Sequence, residues 1–430
     1  MQLHPRRRPR VWLDITTSKS SGKVHNGTTR IERGLIRELP ACLPPGRLGF
    51  CYYSRVMSRF STVQDPPLLD VKAGPRPPHD HSRGSFRRFL RNVERSARIL
   101  IKGSIRAIAV SVRGQYSRFP TALPGDTILL AGENWSRHDF SVLHELKKNR
   151  KVHIAAVLQD MIPCIHPQFF EAGSFKTRFQ AYVEFLSTSA DVIFTISKST
   201  TEDFLRFASG VSPMRIVQIE LGVDVLGEST QSRPAAIAAL GNRSYVLCVS
   251  TIQSRKNFDL LYRIWQRFAL ERQPDAPHLV VVGRPGFGSA DLLNMIRNDP
   301  WIADSITLIQ EASDAELGWL YAHCLFTLYP SWYEGWGLPL TESLAYGKTF
   351  IASDRSSLPE AGQGLGIHLD PYDLVSWSGE LMRLANDGET RAAMEQRILA
   401  VRRVPNWSDT ARKISAVLEE LIYARETTTG

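Results

Sequence analysis

Paired cysteines, a long apolar run and a secretion-type leader are all missing from this 430-residue chain, and each absence closes off a class of function. The five cysteines, Cys42, Cys51, Cys164, Cys248 and Cys324, are odd in number, widely spaced and free of any CxxC pair. That pattern argues against a disulfide framework and a zinc site, and reads as reduced thiols in a cytosolic protein. The longest apolar candidate for a membrane span, residues 99–112, is broken by Lys102 and Arg106, whereas a span needs about 20 uninterrupted residues. The opening MQLHPRRRPR is basic, but VWLDI behind it carries an acid and is too short for a signal, so no secretion is expected. Without that route the Asn-x-Ser/Thr triplets at Asn26, Asn134, Asn242 and Asn406 read as chance matches.

Charge is present but unevenly spread. The formal net charge is +10, and residues 83–118 hold ten Lys/Arg against one acid, Glu94, leaving the rest close to neutral. Within 86–108 apolar residues recur at helical spacing and the other face is almost entirely cationic. This basic amphipathic insert could lie on an anionic membrane surface carrying a lipid-linked acceptor, or be the solvated face of an ordinary helix. No aromatic reading platform accompanies it, so nucleic acid is not an expected partner.

Short β-branched runs alternate with helix-patterned stretches: 11–15, 127–132, 152–160, 191–197 and 215–222, then 245–251, 278–284, 305–310, 325–330, 349–353 and 365–369. This rhythm predicts parallel sheets with crossover helices, an α/β architecture. The pattern pauses at 225–244, rich in Gly, Ser, Pro and Ala, which divides the chain into an N-terminal Rossmann-like unit (1–228) and a C-terminal one (244–404). Residues 405–430 form a closing amphipathic helix. Ligands of open α/β sheets sit beyond the carboxyl ends of the strands, so the chemistry is expected in the loops there.

One such place is PSWYEGWGLPLTESLAYG (330–347), where Glu334 and Glu342 stand eight positions apart. A strand-like run precedes it, Pro339 suits the first turn of a helix and Gly347 its end. Gly335 and Gly337 let backbone N–H groups approach a ligand, and the helix N-terminus favours an anion. The segment thus reads as a site for something partly anionic and partly hydroxylated. The alternative is a solvated loop residue, Glu334, and an ordinary first-turn acid, Glu342.

The same stretch resembles the signature of retaining nucleotide-sugar glycosyltransferases of the GT-B type, family four, whose E-x7-E element it reproduces. Residues 250–261, 279–284, 311–324 and 353–362 resemble further elements of that family, as do LQDMIPCIHPQFF (158–170), 194–204 and 219–224 in the N-terminal half. The resemblance implies two Rossmann-like domains facing a cleft and an enzyme that is a metal-independent hexosyltransferase, peripheral on the cytoplasmic face. It would transfer a hexose or deoxyhexose, mannose-like, to a glycan or lipid-linked acceptor in polysaccharide or lipopolysaccharide assembly. By the same resemblance Glu342 holds the nucleotide ribose and Glu334 the transferred sugar. Gly335, Trp336, Gly337 and Leu338 lay N–H groups along the sugar and diphosphate, where Lys256 and Arg255 supply cations. Gly27 lies over the diphosphate, with capping of the next helix by Thr28 or Thr29 an equally economical reading.

Asp160 handles the acceptor hydroxyl or positions the sugar, or else caps the following turn; Gln159 beside it stands where the family often has His. Ser197 meets acceptor or donor, or caps its helix. Ser250-Thr251-Ile252 stands where many relatives carry an Arg. No Asp-x-Asp occurs anywhere, so neither a bridging metal nor a cofactor beyond the nucleotide-sugar co-substrate is expected. With no second carboxylate evident as a nucleophile, retention would proceed on the front face. The competing readings are a nucleotide-sugar epimerase of similar fold and an inactive membrane-associated scaffold.

Overall fold

The computed structural model describes residues 8–21, 27–64, 119, 121–170, 173–208, 215–224 and 233–426. The basic insert 83–118 and the first part of the 225–244 linker lie outside the described residues.

Two sheets organise the chain. The first contains β1 (Val11–Asp14), β2 (Leu48–Ser54), β3 (Arg59–Val63), β4 (Thr127–Leu130), β5 (His153–Leu158), β6 (Val192–Thr195) and β7 (Arg215–Gln218), in the order β3-β2-β1-β4-β5-β6-β7. All its pairings are parallel except β2 with β3. The second contains β8 (Tyr245–Val249), β9 (His278–Val282), β10 (Ile306–Ile309), β11 (Thr327–Tyr329), β12 (Phe350–Ser353) and β13 (Ile367–Leu369). Their order is β10-β9-β8-β11-β12-β13, parallel throughout. Strands β1, β4, β5, β6, β9 and β12 are buried at every position, which is why they read as unbroken apolar runs rather than alternating ones.

The antiparallel β2-β3 pair does not appear among the expected strands. It follows LPPG and returns through a tight turn, with Ser58 at φ 47°, so no crossover helix announces it.

Strand order reverses between β1 and β4 in one sheet and between β8 and β11 in the other. These switch points open crevices at the carboxyl edges. The final helix, Trp407–Glu426, leaves the C-terminal lobe and packs on the helix Gly27–Cys42 of the N-terminal lobe. Trp407 fits against Gly34 and Gly222, where any Cβ would overlap the Trp407 ring or backbone. One apolar core therefore runs from Leu13 and Leu35 through Ile414 to Trp336, Leu338 and Phe350.

Candidate active site

The switch point of the C-terminal sheet brings two loops together. After β8 the chain makes a single 3-10 turn, Ser254–Lys256, and Asn257 in the left-handed region (φ 54°) starts the next helix. After β11 it runs through residues 330–337 into the helix Leu338–Ala345, with Gly337 at φ 110°. The neighbouring strands place Arg255, Lys256 and Glu334 against one another.

Glu334 and Lys256 are only 8% and 9% exposed, so their charges must find partners inside the protein. One Glu334 carboxylate oxygen, Oε1, accepts from Lys256 Nζ and from Ser331 Oγ at 2.8 Å. The other accepts from Arg255 Nη1 at 2.7 Å, a group that also donates to the Tyr333 carbonyl at 3.0 Å. Backbone contacts fix the loop itself: Glu334 N donates to Ser356 Oγ at 2.8 Å, and Ser357 Oγ donates to the Glu334 and Trp336 carbonyls at 3.0 and 2.8 Å.

The triad is electrostatically lopsided. Burial alone would raise the Glu334 carboxyl, but Lys256 and Arg255 together outweigh it and bring it down to about 2. For Lys256, burial and then repulsion by Arg255 lower the ammonium to about 8 despite the glutamate. Arg255 explains the asymmetry, since it helps the anion and opposes the second cation. The result is a fixed carboxylate beside a lysine whose charge invites an additional anion.

Beyond Glu334 the backbone N–H groups of Gly335, Trp336, Gly337 and Leu338 find no acceptor among the described residues. The side chains of Trp336 and Leu338 point the other way, into the core. Gly335 is packed against the N-terminal lobe, where a Cβ would collide with the Gln159 carbonyl and touch Asp160. This is a requirement for glycine that the sequence reading assigned to ligand approach alone.

Asp160 thus faces the Glu334 loop from the other lobe. Its Oδ1 accepts from Ile162 N at 2.9 Å, the turn-capping contact, while Oδ2 has no partner among the described residues. Burial raises its carboxyl, and Arg255 across the cleft draws it back. Gln159 bridges its own lobe, donating to the Ala131 carbonyl at 3.1 Å and accepting from Thr28 Oγ1 at 2.9 Å.

Two open readings narrow. Ser197 is fully buried and its hydroxyl engages Thr200, accepting from N at 3.0 Å and donating to Oγ1 at 2.9 Å, so it is a helix cap rather than an acceptor contact. The described helix runs Gly27–Cys42, which places Thr28 and Thr29 within it rather than at a cap. Gly27 itself is exposed, with open space around its Cα.

Glu342, 2% exposed, holds a different partner from any foreseen. Its carboxylate pairs with Arg30 of the helix Gly27–Cys42, across the cleft, and accepts from Tyr321 OH at 2.8 Å. Two further contacts join the lobes. Glu360 accepts from the Lys198 backbone N at 2.9 Å, at the start of the helix Lys198–Phe207, and Tyr333 OH lies 3.3 Å from Ser199 Oγ. Arg30 was missed because nothing in its local sequence marks it, and Tyr321, inside the 311–324 element, was given no role there; the folded cleft assigns both. Among the described residues no group of three His, Cys, Asp or Glu is placed to hold a metal, and no helix is long and apolar enough to cross a membrane.

Comparison with known proteins sets this geometry in context. Residues 231–399 match the family described as Glycosyl transferases group 1. O-antigen chain mannosyltransferase B of Escherichia coli is 29% identical over 178 residues, 40% of this chain and 45% of that protein. D-inositol 3-phosphate glycosyltransferase of Stackebrandtia nassauensis is 25% identical over 314 residues, 70% of this chain and 67% of that protein. The chain thus spans about half to two thirds of the length of these curated relatives. Among solved structures, sucrose-phosphate synthase from Thermosynechococcus elongatus superimposes with a TM-score of 0.61 at 18% identity, covering 97% of this chain and 100% of that one. Anabaena HepE, solved with UDP and glucose, gives 0.55 at 14% identity, covering 98% and 99%. The glycosyl transferases group 1 match thus falls on the C-terminal lobe, and the whole chain carries the two-sheet GT-B fold of these solved structures.

Proposed function

We propose that this chain is a retaining glycosyltransferase that moves a hexose or deoxyhexose, mannose-like, from a nucleoside-diphosphate sugar to a hydroxyl of a glycan or lipid-linked acceptor. The observation that carries this reading is the cluster Arg255, Lys256 and Glu334 beside four unengaged N–H groups at a helix N-terminus. Such a cluster is complementary to a leaving diphosphate. As the glycosidic bond lengthens, negative charge grows on the diphosphate, and donors already aimed there stabilise it by several kcal/mol. No bridging metal is required in this scheme, because two cations and the helix terminus meet the charge.

Glu334 has a double task. It keeps both cations aligned and offers acceptor-only oxygens to paired sugar hydroxyls. Asp160, with one oxygen unused, takes the acceptor hydroxyl or orients the sugar from the opposite side. Glu342 holds the ribose hydroxyls on the lone pairs that Arg30 and Tyr321 leave free. The mannose-like donor and the setting in cell-surface polysaccharide or lipopolysaccharide assembly on a cytoplasmic membrane face draw on the O-antigen relative.

A thermal-shift screen of nucleoside diphosphates followed by donor hydrolysis without acceptor tests the reading, since a ligand that prefers the folded state raises its stability. One nucleoside diphosphate should stabilise the chain, and its sugar nucleotide should release free sugar slowly with EDTA present. Absence of any stabilised nucleotide, or of sugar release from the whole donor panel, would overturn it.

A further inference from the structure

A second cavity, of about 410 Å³, lies in the N-terminal lobe beyond the carboxyl ends of β2 and β4. We propose that it binds a carbohydrate bearing a phosphate or carboxylate, the anionic part of the acceptor; this rests on the transferase reading. Its volume falls within the range of ordinary small-molecule sites, roughly 300–1,000 Å³.

Charge argues for an anion. Among the described residues, Arg137 and Arg178 line the cavity together with Arg55 and one carboxylate, Asp139. Asp139 is already engaged, since its Oδ1 accepts from Ser141 N at 3.1 Å and Ser141 Oγ at 2.6 Å as a helix cap. Arg55 is fixed in place by donating to the Arg137 carbonyl at 3.0 Å and to the Ser136 carbonyl. Arg137 reaches Glu133 only at 3.4 Å, and its buried Nε has no partner among the described residues. Arg178 is exposed and makes no hydrogen bond or ion pair with any described residue. The planar guanidinium groups of Arg137 and Arg178 suit the oxygens of a phosphate or carboxylate, which such groups grip two at a time.

Rigid rings argue for a carbohydrate around that anion. Tyr53, Trp135 and Phe140 supply the walls. Each is held by a further ring: Tyr53 is stacked on His138 at 4.8 Å, Trp135 lies 4.3 Å from Phe175, and Phe140 is stacked on Phe185 at 5.0 Å. Flat apolar surface interrupted by a few fixed donors is the usual lining of a site for a ring-shaped polar ligand.

Ring contacts run from the cavity wall toward the donor cluster. Phe175 stacks on Phe170 at 4.4 Å, the adjacent Phe169 lies 5.5 Å from His166, and His166 lies 5.3 Å from Tyr333 in the Glu334 loop. A line of rings therefore leads from Trp135 to the residue next to Glu334, along which an extended acceptor would lie.

Calorimetry on the full chain with glucose, glucose 1-phosphate and glucuronate tests the assignment. Both anionic probes should bind at least about tenfold more tightly than glucose, with R178Q and R137Q each losing about tenfold, the usual scale for one charged hydrogen bond. A preference for glucose 1-phosphate over glucuronate identifies the anion as a phosphate, and the reverse identifies a sugar acid. W135L should weaken both, while K256M, which removes a cation of the donor cluster, should leave their affinities within about twofold. Equal binding of glucose and the anionic probes, or anion binding that K256M abolishes and R178Q does not touch, would overturn the proposal. Donor hydrolysis by the wild-type chain, measured alongside, separates a failure of the transferase reading from a failure of the cavity.

Discussion

Glu334 and Glu342 leave the same strand-loop-helix eight residues apart, yet they are held by opposite lobes. Glu334 is gripped by Arg255 and Lys256 from its own lobe, so these two ion pairs need nothing from the other lobe. Glu342 takes its cation from Arg30, 312 positions earlier in the chain, so its arrangement exists only when the lobes meet. One carboxylate is thus part of a prebuilt surface, and the other reports closure. The difference separates chemistry from assembly within a single sequence motif.

The strongest break of this comparison is at the prebuilt side. Glu334→Gln or Lys256→Met should lower transfer by about 10²–10³-fold, the scale seen when one preorganised electrostatic group is lost. Steady-state kinetics with circular dichroism as a folding control checks it, because removing one partner of a buried pair can cost about 3–5 kcal/mol of stability. Unchanged turnover in either variant would refute its role.

Next in size is Gly335→Ala, whose new methyl would meet the Gln159 carbonyl across the cleft. Transfer should fall about a hundredfold, as for an active site displaced by about an ångström, with the thermal midpoint little changed. A variant as active as wild type would show that the lobes do not need to approach this closely.

Arg30→Gln acts only on the closure side. It should reduce kcat/KM about tenfold, equivalent to about 1.4 kcal/mol, and increase the radius of gyration in small-angle scattering, with Arg30→Lys intermediate. A loss as large as that of Glu334→Gln would mean that Arg30 takes part in the chemistry and that the division is wrong.

The mildest effect is on pH dependence. Lys256 loses its proton at about 8 in the free protein because burial and Arg255 disfavour the charge. If the charged form serves the diphosphate, kcat/KM should decline as pH rises through about 8, and Lys256→Arg should move that limb upward. The linkage to stability has the opposite sense: the protonated lysine disfavours the fold, so this group's contribution improves from about pH 8 upward. For Glu334, held down at about 2, the contribution is present above the ordinary carboxylate range and is lost as pH falls toward 2.

The extent to which the site was legible follows the same division. The strand, loop and helix of 330–347, and the cations after β8, could be read because proline, glycine and charge act there over short spans. Arg30 could not, since its partner is distant in sequence and its neighbours look like any amphipathic helix. Ser197 stayed open between two readings because the same hydroxyl chemistry serves a cap and a ligand. The β2-β3 pair escaped because the sought rhythm was strand and crossover helix, and an edge hairpin has no helix.

The two places where the chain passes between lobes lie side by side. Val223 N donates to the Pro405 carbonyl at 2.9 Å, and Thr410 Oγ1 donates to the Glu220 carbonyl at 2.7 Å, with Trp407 seated on Gly222. Two tethers bonded to each other form a spine, and a body attached along one spine can swing but cannot slide or twist freely. A rotation about residues 219–224 and 402–410 is the motion these contacts leave free, and substitutions there are expected to change how the lobes open without touching a substrate.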